Sequence, residues 1–154
     1  MKKKILNTMV LEVAAKSENE SFARSAVAAF AAGVDPRLDE INDIKTAVSE
    51  AVTNCVVHAY KKGQKLTDKI KIECTLFPSE IEIKITDTGV GITDIERAMQ
   101  PFFTTVADDE RSGMGFTVMA SFTDALSVNN NNGGGTVVTM RKFFTKEERK
   151  ECVG

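Results

Sequence analysis

One histidine, three cysteines and three prolines in 154 residues leave several classes of chemistry without their side chains. The single imidazole, His58, excludes a two-histidine metal site, and its place in an apolar helical pattern reads as structural. Cys55, Cys74 and Cys152 are odd in number and fall at unrelated spacings. They form neither a zinc pattern nor a disulfide framework, and they suit a reducing cytoplasm. Positive charge is not in surplus: 20 Lys and Arg against 22 Asp and Glu leave a net charge of −2. Without an electrostatic drive to wrap a polyanion, direct nucleic-acid binding is not expected. No apolar run approaches the length that crosses a bilayer, so no membrane role is expected. Met1-Lys2-Lys3-Lys4 has the charge of a secretory n-region, but polar residues between Ile5 and Glu12 interrupt any apolar stretch behind it. Also missing are the phosphate loop G-x-x-x-x-G-K-[ST] and the H-R-D and D-F-G elements of the common protein kinases.

What is present is the composition of a soluble globular protein, 42% hydrophobic and 27% charged, with length for one sizeable core. Residues 1–144 are expected to form a single domain and 145–154 a short polar tail. Asn7, Met9, Leu11 and Val13 alternate along a first strand. Ser17-Glu18-Asn19-Glu20 has the spacing of a capping box, opening an alanine-rich helix that stops at Gly33. Asp35-Pro36 is a second start signal, followed by Ile41, Ile44, Val48, Ala51, Val52 and Cys55 at helical spacing to about Tyr60. Ile70, Ile72 and Leu76, then Ile81, Ile83 and Ile85, alternate on either side of Pro78-Ser79 and predict an antiparallel hairpin. Thr93 can cap a short helix to about Met99, and Pro101 to Gly115 lacks a sustained period, as a lid would. Phe116, Met119, Ala120 and Ala125 predict a third helical face, and strands at 126–129 and 136–143 flank an Asn/Gly turn. The order implies an α+β, two-layer sandwich with helices on one face of a mixed, mostly antiparallel sheet.

Three segments carry chemistry. In Ser49 to Tyr60, Glu50 and Asn54 lie four residues apart on one helical face, where a base and a metal-binding oxygen can share a cavity. Asp87-Thr88-Gly89-Val90-Gly91 follows a strand; its glycines allow close backbone approach to a flat ligand, and its carboxylate can accept from an exocyclic amine. Gly113-Met114-Gly115-Phe116 opens a helix whose free N–H groups favour an anion. Each alone has an ordinary alternative: a solvated helix stripe, a tight strand exit, a glycine-rich helix entry.

In combination and in this order, the segments resemble the GHKL ATPase superfamily. Glu50 to Tyr60 is similar to its N box, Asp87 to Gly91 to its first glycine box, Arg111 to Phe116 to its second, and Gly133-Gly134-Gly135-Thr136 to its closing element. Pro101 to Thr105 followed by Glu110 to Phe116 resembles the anti-sigma factor serine kinases, in particular the anti-sigma F factors of spore-forming bacteria. The resemblance implies the Bergerat ATP-binding fold, with ATP and Mg²⁺ as cofactors. It assigns Asn54 to Mg²⁺, Asp87 to the adenine amine, Gly89 and Gly91 to the base, and Thr136 to the adenine end. Thr104, Thr105, Gly113 and Gly115 would cover the phosphates, with Arg111 the charge on the γ-phosphate and Glu50 the group that orients or deprotonates the attacking hydroxyl. The implied partners are a sigma-F-like sigma factor, an anti-anti-sigma antagonist phosphorylated on serine, and a second copy of the chain. Arg24, in the alanine-rich helix, is the expected docking contact. A histidine-kinase catalytic domain and a non-catalytic sigma-binding module are the alternatives.

Overall fold

The structure, a computed structural model, describes residues 2–59, 66–91, 115–131 and 134–145. The expected helix from Thr93 to Met99, the lid, and the tail beyond Thr145 lie outside the described residues, as do Thr104, Thr105, Arg111 and Gly113. The chain runs through β1 (Asn7–Ala14), α1 (Glu18–Ala31), a 3-10 turn (Ala32–Val34), α2 (Leu38–Asn54) and a π-helical turn (Cys55–Ala59). After these come β2 (Lys69–Phe77), β3 (Glu80–Asp87), α3 (Gly115–Phe122), β4 (Ala125–Asn130) and β5 (Thr136–Phe143).

The five strands form one sheet in the order β1-β2-β3-β5-β4, and each of its four pairings is antiparallel. Its register follows from the alternation in the sequence. Leu11 lies opposite Ile72, Ile72 opposite Ile85, Ile85 opposite Val138, and Val138 opposite Val128, a single apolar row across all five strands. Ile70, Ile72, Ile81, Ile83 and Ile85 are almost wholly buried. Burial of such a side chain is worth about 1.5–3 kcal/mol, so this face holds the helix layer. Lys71, Glu73, Lys84 and their neighbours point the other way by the same period of two.

Against the sheet lie Ala23, Val27 and Ala31 of α1 and Ile44, Ala47, Val48, Ala51 and Val52 of α2, all buried. The small residues let the two helices approach closely. Met119 of α3 is fully buried in the same core.

Three local expectations differ from the structure. Ser17 has helical backbone angles (φ −56°, ψ −35°) and no side-chain capping bond. Its neighbours act elsewhere: Asn19 Nδ2 donates to Ala14 O at 2.8 Å, and Glu20 pairs with Arg24. Asp35 is left-handed (φ 53°), so α2 starts at Leu38 and not at Pro36. Glu40, 3% exposed, does the capping: its Oε1 accepts the Arg37 N–H at 3.0 Å, and its Oε2 accepts the Thr145 N–H at 3.0 Å. Ala125 begins β4 and does not extend α3. The hairpin turn at Pro78-Ser79 and the bounds of β5 are as expected.

Candidate functional site

Asp87, the last residue of β3, is 4% exposed. A buried carboxylate must be satisfied by donors, and here three converge. Oδ1 accepts the N–H of Gly89 at 3.0 Å and that of Thr136 at 3.2 Å, while Oδ2 lies 3.6 Å from the Cys55 thiol. Burial pushes the Asp87 carboxyl above its ordinary value, and the bonds from Gly89, Cys55 and Thr136 oppose that shift. Burial, and then the charge of Asp87, raise the Cys55 thiol well above its usual range, so it stays protonated and acts as the donor.

Two glycines make this arrangement possible. Gly135 has φ +91°, and a Cβ there would fall 2.1 Å from Asp87 O. The turn before β5 therefore crosses directly over the strand end, which delivers the Thr136 N–H to the carboxylate. A Cβ at Gly89 would fall 2.2 Å from Ala59 O, the carbonyl that accepts the Val90 N–H at 3.0 Å. The Asp87 to Gly91 loop is thus pinned against the π-helical turn that ends α2. Gly91 is partly buried, with φ +73°.

Asn54 closes α2, one residue before Cys55. It is partly buried, and its carboxamide lies against Gly115, the first residue of α3. The start of α3 therefore meets the end of α2 here. Glu50, one turn earlier, lines a groove of about 360 Å³ with Ser17, Glu20, Ser49 and Thr53, between the start of α1 and the later half of α2. Arg24 stands beside it and is not a lone base: its Nη1 donates to Glu20 Oε1 at 2.8 Å and to Ser49 Oγ at 3.4 Å.

The structure thus gathers Asn54, Asp87, Gly89, Gly115 and Thr136 around the end of α2, and sets Glu50 and Arg24 on the adjoining groove. Two participants did not stand out in the sequence. Cys55 looked like one more core position on α2, and Ala59 offers only a backbone carbonyl. The available signal for Cys55 was its place directly after Asn54.

The donor set suits an adenine nucleotide and a hard cation. Asp87 presents a buried acceptor for an amine, the glycines let backbone approach a flat ring, and Asn54 carries a carboxamide oxygen of the kind Mg²⁺ accepts.

Residues 13–142 match the family model described as the histidine kinase-like ATPase domain. An anti-sigma F factor of Caldanaerobacter subterraneus is 53% identical over 137 residues, covering 89% of this chain and 94% of that protein. That of Clostridium beijerinckii is 52% identical over 138 residues, covering 90% and 95%. Among solved structures, the RsbU and RsbW domains of Rv1364c from Mycobacterium tuberculosis superpose with a TM-score of 0.67 at 17% identity, across 93% of this chain and 34% of that one. The catalytic domain of histidine kinase ThkA gives a TM-score of 0.55 at 17% identity, across 90% of this chain and 99% of that one. These structural likenesses concern the fold. Family model and sequence relatives together show that this chain belongs to the histidine kinase-like ATPase domain family and, within it, to the anti-sigma F factors.

Proposed function

We propose that this chain is an ATP-dependent anti-sigma factor that holds a sigma-F-like factor away from RNA polymerase and phosphorylates a serine of its anti-anti-sigma antagonist. The observation that carries this reading is the Asp87, Thr136 and Gly89 cluster beside Asn54, in a chain about half identical to anti-sigma F factors over nine-tenths of its length.

Asp87 accepts the adenine amine, Gly89 and Gly91 bring backbone against the base, and Thr136 supports the adenine end through its hydroxyl, directly or through water. Asn54 holds Mg²⁺ through its carboxamide oxygen. Bound Mg²⁺ and ATP supply a polarised γ-phosphoryl group, and the protein's task is alignment and charge neutralisation. Glu50 orients or deprotonates the attacking serine hydroxyl, and the groove it lines gives that hydroxyl access. Arg111 would stabilise the charge on the γ-phosphate, and Thr104, Thr105, Gly113 and Gly115 would contribute to holding the phosphates. Arg24, held between Glu20 and Ser49, presents a half-exposed guanidinium to both protein partners. A homodimer would form through β1 and α1. Val10 on the edge strand β1 is 65% exposed and Phe22 on α1 56% exposed, apolar surface that a second copy would cover. The cytoplasm is the proposed compartment, and no helix among the described residues is long and apolar enough to cross a membrane.

Radiolabelled ATP incubated with the chain, a candidate antagonist and a sigma factor tests this function. Label on an antagonist serine, with nucleotide-dependent co-elution of the sigma factor, is the expected result. Co-elution without label would leave a sigma-binding module, and failure of both would remove the proposal.

A further inference from the structure

The π-helical turn Cys55–Ala59 has two contacts with the adenine-side loop: Ala59 O receives the Val90 N–H, and the Cys55 thiol meets Asp87. Single π turns inside helices recur at functional sites because the wider coil re-aims side chains. The backbone N–H groups of Gly89 and Thr136 both bind Oδ1 of Asp87, which sets the carboxylate plane from one side. The last torsion of an aspartate is broad, so a third donor on Oδ2 narrows the rocking that two bonds to the same oxygen still allow. Cys55 Sγ is that donor at 3.6 Å, within the longer reach of sulfur, in a pair almost sealed from solvent at 5% and 4% exposure.

We propose that Cys55 is a positioning residue for nucleotide recognition: its S–H, donated to Oδ2 of Asp87, steadies the plane in which that carboxylate meets the exocyclic amine of the base. The role rests on the reading of Asp87 as the amine acceptor. It acts through Asp87 and needs no contact between sulfur and nucleotide. It predicts that a hydroxyl, a stronger donor with a shorter reach, substitutes for the thiol better than a methyl group does.

The test is calorimetric titration of the full chain and its Cys55→Ala and Cys55→Ser variants with Mg-ATP and with Mg-purine riboside triphosphate, which lacks the amine. Each titration is run well below the variant's melting temperature. The preference for ATP should fall about three- to tenfold in Cys55→Ala, as expected for loss of a weak bond to a charged acceptor, and by clearly less in Cys55→Ser, which keeps a donor at a longer distance from Oδ2. A lowered melting temperature with the preference unchanged in Cys55→Ala would make the thiol a packing group and overturn the inference. An equal fall in both variants would overturn it too, since the donor would then be irrelevant. If the unaltered chain binds both nucleotides equally, the reading of Asp87 itself fails, a result separable from the variant outcomes.

Discussion

Asn54 and Gly115 occupy each other's space: a Cβ at Gly115 would sit 2.8 Å from Asn54 Nδ2 and 2.9 Å from its Oδ1. The end of one helix and the start of another are packed to the limit that a missing side chain allows. Gly115→Ala must therefore displace the carboxamide, and Mg-ATP affinity is expected to fall about tenfold, near the 1.4 kcal/mol that one lost polar contact is worth. Calorimetry with Mg²⁺ and with EDTA checks it, using Asn54→Ala as reference. An affinity unchanged in both variants would take Asn54 out of the ion site.

Glu50 faces a groove and is not part of the donor cluster around Asp87. Glu50→Gln should accordingly keep ATP affinity while slowing transfer to the antagonist about 100-fold or more, the usual span for a lost general base. Single-turnover rates at saturating nucleotide are the measurement, and an undiminished rate would assign the proton to another acceptor.

Burial raises the Asp87 carboxyl above its ordinary 3.8. The folded chain then binds that proton more tightly than the unfolded one, so the group's contribution to stability is full below about pH 3.8 and is lost as pH rises through the raised value. Asp87→Asn removes this dependence. Its melting temperature should gain on that of the parent between acid and neutral pH, while ATP affinity drops about 10- to 100-fold with the charged acceptor gone. Melting curves across that range decide the matter; a variant that instead loses ground to the parent as pH rises would reverse the sign assigned to Asp87.

Arg24 bridges α1 and α2 through Glu20 and Ser49, yet its side chain stays 38% exposed. An i,i+4 ion pair of this kind is worth about 0.3–0.5 kcal/mol, so Arg24→Ala should barely move the melting temperature. Affinities for the sigma factor and for the antagonist should each fall about tenfold or more if the guanidinium anchors both. Unaltered affinities for both would leave it only the ion pair.

Much of this arrangement is legible in the residues. The alternation of Ile70, Ile72 and Leu76 with charged residues, the turn at Pro78-Ser79 and the aspartate at a strand end all act locally, and the hairpin with Asp87 at its close follows from them. The helix starts were mixed. α1 opens at Glu18, directly after Ser17 as expected, though without the side-chain bond. At α2 the start shifts from Pro36 to Leu38, where Glu40 caps because burial joins it to both Arg37 and Thr145. The π turn is invisible to periodicity, since Cys55 fits the apolar spacing of a continuing α-helix. The Cys55 and Asp87 contact spans 32 positions and exists only once β3 is laid against the end of α2.

The bond from Thr145 to Glu40 holds Thr145 beside the opening turn of α2, fourteen residues ahead of Asn54 and so about 21 Å away along the helix axis. A fluorophore or affinity handle attached at Thr145 is held at the far end of that helix from Asn54, and can report on partner capture without standing in the doorway.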